Sequence, residues 1–438
     1  MNEAHKTYEI RCPVHGFVGM NDWERSIIAE PAFQRLRRIR QLGWTDQVYP
    51  GAMHTRFEHS LGVMHTATML YDAIRSGSAD VLQSELGYKS EGLKRDRQLI
   101  RLAALLHDVG HSPFSHASED LFPKQENGKN FKHEQYSAAI VRTQLRDVIE
   151  SHPLNTNCDF RADDVAAILE GTTNAKHRLF WRDLIDGQMD ADRMDYLLRD
   201  SHHAGVQYGK FDLNRITNTI LAIPGAGGHA PVLGFSQGGL HAAEGLVLAR
   251  YFMFTQVYFH KTRVAYDTHL KGALSEILPN GKFPRPVGKE LEEFLKWDDW
   301  KVLGLLADGK GGEHGEYLAT RSHYRLAYSS PEISGPQHMQ YVEKLEQKLG
   351  DLVVGKEEAS KSWYKTGKPD IPIVSDVDPK DVKPLSVYSN VVRNIGASNQ
   401  VLLYVKPEDA NKAEIIVRKV AEDERNLQGT LKFDSNLG

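Results

Sequence analysis

Four side chains able to ligate a metal stand along the chain in the order His59, His107 and Asp108, then Asp192. The two central ones lie in LLHDVGHSPFSH, the run from Leu105 to His116. An imidazole and a carboxylate on adjacent residues do not face one direction on a regular helix. They converge on a single ion if the helix ends there, and Gly110 is the expected stop. The preceding RQLIRLAALLHD is apolar at Leu99, Leu102, Ala103, Leu105 and Leu106, so this helix is expected to be buried. A buried histidine-carboxylate pair with no evident cation is costly, and a divalent metal would offset that cost. The alternative is a plain helix-terminal hydrogen bond between the two side chains.

A second set of histidines and carboxylates follows: His111, His116, Glu119, His133 and Glu134. A histidine beside a carboxylate is the usual form of an oriented acid or base. An isolated histidine is more often a hydrogen-bonded surface or core residue. Asp192 belongs to an acidic run with Asp183, Asp186, Asp190 and Asp195, which alone reads as a helix start enriched in acid. Asp192, Tyr196 and Asp200 fall at i, i+4 and i+8, so one helix face carries two carboxylates and a phenol. Thr55 followed by Glu58 has the pattern of a capping box, which puts His59 in the first turn of a helix running to about Ile74.

Five blocks occur in one order: HTRFEHSLGVMHTA (54–67), LLHDVGHSPFSH, KHEQYS (132–137), DADRMDYLLRDSHHAG (190–205) and FTQVYFHKTR (254–263). Together they resemble the HD-domain metal phosphohydrolases, and among these the deoxynucleoside triphosphate triphosphohydrolases. The resemblance implies a mainly α fold and one divalent ion (Mn, Mg, Fe, Ni or Zn) on His59, His107, Asp108 and Asp192. It makes His116 the general acid for the leaving 5′-oxygen, oriented by Glu119, with His111, His133 and Glu134 completing the catalytic set. Gln41 and Asp200 would bond the 3′-hydroxyl, Tyr196 would pack on the sugar, and Leu42 would crowd the 2′ position. Arg56 and Arg193 match basic triphosphate contacts, and His260 falls on the substrate side. Gln34 and Arg37 match a regulatory nucleotide site.

The chain departs from the family pattern at several positions. A triphosphate-binding arginine is replaced by Gln256, and an aromatic gate near the 2′ position by Val264. At the regulatory site the guanine-reading acid is replaced by Ala29, and an Asn-Asp pair by Arg11 and Cys12. The expected activity is hydrolysis of a deoxynucleoside triphosphate to deoxynucleoside and inorganic triphosphate. A homo-oligomer, dimer or tetramer, is expected, with room for an allosteric nucleotide but with guanine-specific activation absent or altered. Two alternatives remain open: another HD phosphohydrolase acting on a monophosphate, cyclic nucleotide or alarmone, and a non-catalytic nucleotide sensor or nucleic-acid binder.

Length and composition bound these readings. At 438 residues the chain can bury a large core, and 40% hydrophobic with 26% charged residues is a globular balance. A net charge of −4 gives no global pull toward nucleic acid, so a polyanion needs a local cationic site. The arginines of QRLRRIRQ read as a solvated face or ion-pair partners rather than a nucleic-acid surface. No apolar run reaches membrane-spanning length, and two cysteines build no disulfide framework, which suits a cytoplasmic protein. PAFQRLRRIRQLG reads as one helix from Pro31 to Gly43, and IPGAGGHAP (223–231) as a turn inside a hairpin or between helices. Residues 1–335 are expected to form a helical domain with its HD core at about 50–205. Residues 336–438 are expected to form a small α+β appendage, with a polar linker at about 355–385.

Overall fold

Glu58 accepts the backbone N–H of Thr55 at 3.1 Å, and the helix Arg56–Gly77 begins there, as the sequence predicts. This helix packs against two others, Ser90–Leu106 and Ala191–Ala204. Every residue from Leu99 to Leu106 is buried. The one charge in that stretch, Arg101, is neutralised by both oxygens of buried Glu24, each at 2.6 Å. The third helix opens on Asp190, whose carboxylate accepts the Arg193 backbone N–H, and closes on Gly205 at φ 70°. The first turn of one helix, the last of another and the first of a third thus bring His59, His107 with Asp108, and Asp192 to one place. A computed structural model describes residues 7–434 except 174, 226–228 and 360–369, with side chains as far as residue 424.

Gly110 does not stop the His107 helix in a left-handed turn; its φ is not positive. The helix ends at Leu106 and residues 107–110 continue as tight turns. Ser137, on the helix His133–Arg142, holds them by donating to the His107 carbonyl at 2.7 Å and accepting the Gly110 N–H at 2.9 Å. Glycine is required because a Cβ at 110 would lie 2.2 Å from the Ser137 nitrogen and 2.5 Å from the His133 carbonyl. We therefore expect Gly110→Ala to push the two segments apart and to cost about 1–3 kcal/mol. Urea unfolding checks this, and an unchanged midpoint would count against the tight packing.

The Pro31–Gly43 segment is not one helix. It runs as Pro31–Gln34, tightens into a 3₁₀ turn at Arg35–Arg38, and turns extended at Ile39. Strand-like contacts impose the break: Arg56 donates its N–H to the Ile39 carbonyl and Gln41 to that of His54, both at 3.0 Å. Of the two readings of 223–231, a turn inside a hairpin or between helices, the hairpin holds: Ile220–Ile223 lies antiparallel to Val232–Ser236, and residues 226–228 lie outside the described residues. After residue 239 the chain forms two helices, Leu240–Met253 and Lys261–Ile277, joined by a π turn at Phe254–Tyr258.

The C-terminal part is α+β. Its central strand, Val401–Val405, is buried throughout and lies between Arg325–Ser329 and Val353–Glu358. Alternate side chains serve two cores. Val401, Leu403 and Val405 pack on Val342, Leu345 and Ala413, whereas Leu402 and Tyr404 pack on Val264 and Ala265 of the Lys261–Ile277 helix. Tyr404 also donates its hydroxyl to the Lys261 carbonyl at 2.6 Å, so the small sheet clamps the start of that helix. The stretch 355–385, expected to be a linker, holds paired strands in its described residues. Pro372–Val374 lies parallel to the Val232–Ser236 strand and antiparallel to Val382–Pro384, and Ile371 and Ile373 join the main core. Residues 360–369 of it lie outside the described residues. Among the described residues, no helix is long and apolar enough to cross a membrane.

Candidate active site

Donor atoms of His59, His107 and Asp108 all lie within 4.8 Å of one another. Asp192 joins them: its Oδ1 is 3.0 Å from His59 Nε2 and 3.6 Å from His107 Nε2. Asp108 lies 3.4 Å from His59 Nε2 through Oδ2 and 3.2 Å from His107 Nε2 through Oδ1. At ligand distances of about 2.1 Å, neighbouring donors around one ion stand about 3 Å apart. The other ring nitrogens are already committed. His107 Nδ1 donates to the Ala104 carbonyl at 2.8 Å and His59 Nδ1 to Asp195 Oδ2 at 2.8 Å. Both Nε2 atoms are buried and have no hydrogen-bond partner. Two orphaned imidazole nitrogens facing two carboxylates fit a divalent cation, and the donor set does not select which one.

The electrostatics lead to the same conclusion. Burial lowers the pKa of His59, but the neighbouring carboxylates of Asp192, Asp195 and Asp108 push it up to about 10. Burial raises that of Asp108, yet Arg56, His107 and His111 outweigh it and hold the carboxylate well below the usual range. Asp192 is held low in the same way by His107 and His59. The carboxylates around His59 thus favour positive charge beside them, which a bound ion would supply. Behind His59, Asp195 is itself fixed by Arg199, which donates to both its oxygens at 2.8 Å.

A cavity of about 480 Å³ opens on this group. Gln41, Leu42, Arg56, Asp192, Tyr196 and Asp200 line it, so most of the expected substrate residues meet the metal group in one place. Arg56 is also structural, since it bonds Asp108 and donates to Ser115 Oγ at 2.7 Å. Asp200 receives His54 Nε2 at 2.7 Å and the Tyr258 hydroxyl at 2.7 Å. The structure does not bring Arg193 or His260 into the cavity. Residue 193 is one step round the helix from Asp192 and points to a separate cleft, bonded to Asp190 and the Gly187 carbonyl. His260 caps its helix by accepting the Thr262 N–H at 3.2 Å. The additional cations on the wall are Arg182 and Arg263, which the sequence reading missed along with Tyr258, His54 and Asp195. Gln34 and Arg37 lie outside the cavity, bonded to each other at 2.9 Å, with Arg37 over the Phe57 ring.

His111, His116, Glu119 and His133 form a second cluster. Glu119 is its hub, at 3.1 Å from His111 Nδ1, 3.2 Å from His116 Nδ1 and 2.8 Å from His133 Nδ1. The His111 and His133 rings stack 3.9 Å apart and only 17° from parallel. Both Nδ1 atoms face the same oxygen, Glu119 Oε1, and the donor atoms of this group, like those around His59, lie within 4.8 Å of one another. Burial, reinforced by Arg56 and His133, lowers His111 to about 3 and keeps it neutral. Burial also opposes the charge on His133, but Glu119 wins and pushes it up to about 9. His116 is 63% exposed at the cavity wall, and with Nδ1 held by Glu119 its Nε2 is left for chemistry. Glu134 lines the same wall. The loop before His116 is held in an uncommon conformation, with Phe114 and Ser115 both at positive φ. Asp299 supports it, accepting the Phe114 N–H at 2.7 Å and that of Arg40 at 2.8 Å.

A protein-family model described as HD domain matches residues 56–200, the segment that carries the metal group and the histidine cluster. The chain belongs to the HD-domain family. A second model, described as HD associated region, matches residues 225–349 and contributes Tyr258, Arg263 and Asp299. The HD chain is 37% identical over 251 residues to the uncharacterized protein YwfO of Bacillus subtilis, covering 57% of this chain and 51% of that one. It is 36% identical over 198 residues to the deoxynucleoside triphosphate triphosphohydrolase SAMHD1 homolog of Dictyostelium discoideum, covering 44% and 35%. A crystal structure of a hypothetical protein from Aquifex aeolicus superposes with a TM-score of 0.76 at 28% identity, covering 94% of this chain and all of that one. The chain spans about half or less of the length of these curated relatives.

Proposed function

We propose that this HD-domain chain hydrolyses deoxynucleoside triphosphates to deoxynucleoside and inorganic triphosphate. The observation that carries the reading is one helix face, Asp192, Tyr196 and Asp200, joining a metal-capable group to a wall suited to a sugar within a single cavity. His59, His107, Asp108 and Asp192 would hold one divalent ion, which when bound polarises the α-phosphate and lowers the pKa of water. Asp200, fixed from behind by His54 and Tyr258, accepts from the 3′-hydroxyl, with Gln41 beside it, while the Tyr196 ring packs on the sugar. Leu42 crowds the 2′ position. Arg56, Arg182 and Arg263 offset the charge of the triphosphate. Water adds in line at the α-phosphorus as the bond to the 5′-oxygen breaks; His116 gives its proton to that oxygen, and the triphosphate leaves intact. A homo-oligomer with a nucleotide at Gln34 and Arg37 belongs to the same proposal, with guanine-specific activation absent or altered because the Ala29 side chain offers no acceptor.

Purified protein supplied with each deoxynucleotide and its ribonucleotide counterpart is expected to release deoxynucleoside and triphosphate, with the ribonucleotides slower. Light scattering with and without trace dGTP accompanies the assay. Equal rates for dGTP and GTP, or pyrophosphate as main product, would sink the substrate assignment. Strict dependence of assembly and activity on a guanine nucleotide would sink the regulatory one. Release of orthophosphate from monophosphates alone would favour a different HD hydrolase.

A further inference from the structure

Asp195 is the carboxylate behind the proposed metal ligand His59, and it has a partner from a distant part of the chain. His15 Nε2 lies 2.6 Å from Asp195 Oδ1, opposite the Oδ2 that takes the His59 Nδ1–H at 2.8 Å. His15 comes from the N-terminal hairpin, where Tyr8–Cys12 pairs with Gly16–Met20 and leaves a three-residue loop. Gly16, at φ 76°, closes the turn, and the His15 backbone N–H reaches Cys12 Sγ at 3.5 Å. The same sulfur accepts from Arg199, the guanidinium that grips Asp195. Asp195, Arg199 and His59 are fully buried, and the His15 side chain is 4% exposed.

The His59 helix makes room for this node. A Cβ at Gly62 would stand 1.9 Å from Asp195 Oδ1 and 2.4 Å from the Arg199 guanidinium. Arg199 sits four residues along the same helix as Asp195, so it moves with the carboxylate it holds. His15 is the donor on Oδ1 that arrives from outside that helix. It fixes the carboxylate relative to the rest of the domain and hence the direction in which Asp195 holds the His59 ring.

We propose that His15 is a positioning residue for the metal site, acting through Asp195 to aim His59 Nε2 at the ion. This rests on the metal reading given above. Second partners of this kind typically govern metal affinity by about 10–100-fold. The test is titration of the metal-free full chain with zinc against a chelating dye, alongside the melting temperature of the metal-free protein. His15→Phe, which keeps a ring but no donor, is expected to bind zinc about 10–100-fold more weakly. His15→Gln, which restores an N–H, is expected to recover most of that loss. His15→Met, also without a donor, replaces the phenylalanine variant if that one does not fold. Wild-type affinity in a folded donorless variant overturns the proposal, as does a loss that glutamine does not rescue, or a lowered melting temperature with unchanged affinity. A wild-type chain that takes up no ion overturns the metal reading itself, which separates the two failures.

Discussion

Replacing His107 and Asp108 together by alanine is expected to remove bound metal and at least about a thousandfold of hydrolytic rate, a loss near 4 kcal/mol of transition-state stabilisation. The expectation follows from the geometry of the doublet. His107 Nε2 is buried, bare and 3.2 Å from Asp108 Oδ1, while its Nδ1 is locked on the Ala104 carbonyl. Deleting both residues leaves His59 and Asp192, two donors where an ion of this kind takes four or more. The substitution has a structural side effect, because Asp108 is the ion-pair partner of buried Arg56. An unpaired buried guanidinium destabilises a fold, so Asp108→Asn, which still offers Arg56 an oxygen, is the companion variant. Metal content by elemental analysis and turnover by product release should fall together in both, with circular dichroism showing a folded chain. Full turnover in the folded double variant would end the catalytic reading.

What the sequence made legible was set by short-range physics. The Arg56–Gly77 helix is announced by its cap, the Leu99–Leu106 stretch by its apolar character, and the Val401–Val405 strand by five apolar residues in a row. The i, i+4, i+8 spacing put Asp192, Tyr196 and Asp200 on one wall, and that wall lines the cavity. The misreadings have long-range causes. Arginine-rich helix periodicity continues past Arg38, but pairing of Ile39 and Gln41 with the segment before His59 pulls the backbone straight, and this turns Gln41 and Leu42 into the cavity. The polar stretch after residue 355 hides the Pro372–Val374 strand because it packs through a partner far back in the chain, Phe235 opposite Ile373. Gly110 looked like a terminator, yet its role is to let a neighbouring helix approach. Arg193 carried the right charge beside Asp192 and the wrong direction, since adjacent helical residues diverge by about 100°. Asp195 lay in plain view in the acidic run, three residues on, and only the fold shows that it backs His59 rather than capping a helix.

His116→Ala is expected to lower kcat for a deoxynucleoside triphosphate by about 10²–10⁴-fold while leaving metal content unchanged. His116 is on the cavity wall, its nearest charged partner is Glu119, and it is not among the donors around His59. Its Nδ1 is held by Glu119 Oε2 at 3.2 Å, while Oε1 is occupied by His133 and His111. With His111 buried and neutral, His116 and the charged His133 are the cluster's two histidines on the cavity wall, and His116 is the exposed one, its Nε2 free to face a leaving group. A proton is needed there because an alkoxide at the 5′-oxygen is a poor leaving group. The dependence on His116 should therefore shrink when the leaving group needs no proton. With a p-nitrophenyl ester of a phosphate in place of the nucleoside, His116→Ala should retain most of the wild-type rate, and Glu119→Gln should follow the same pattern more weakly. Equal losses on both substrates would remove His116 from proton delivery. Loss of the ion in His116→Ala would instead assign the residue to the metal site.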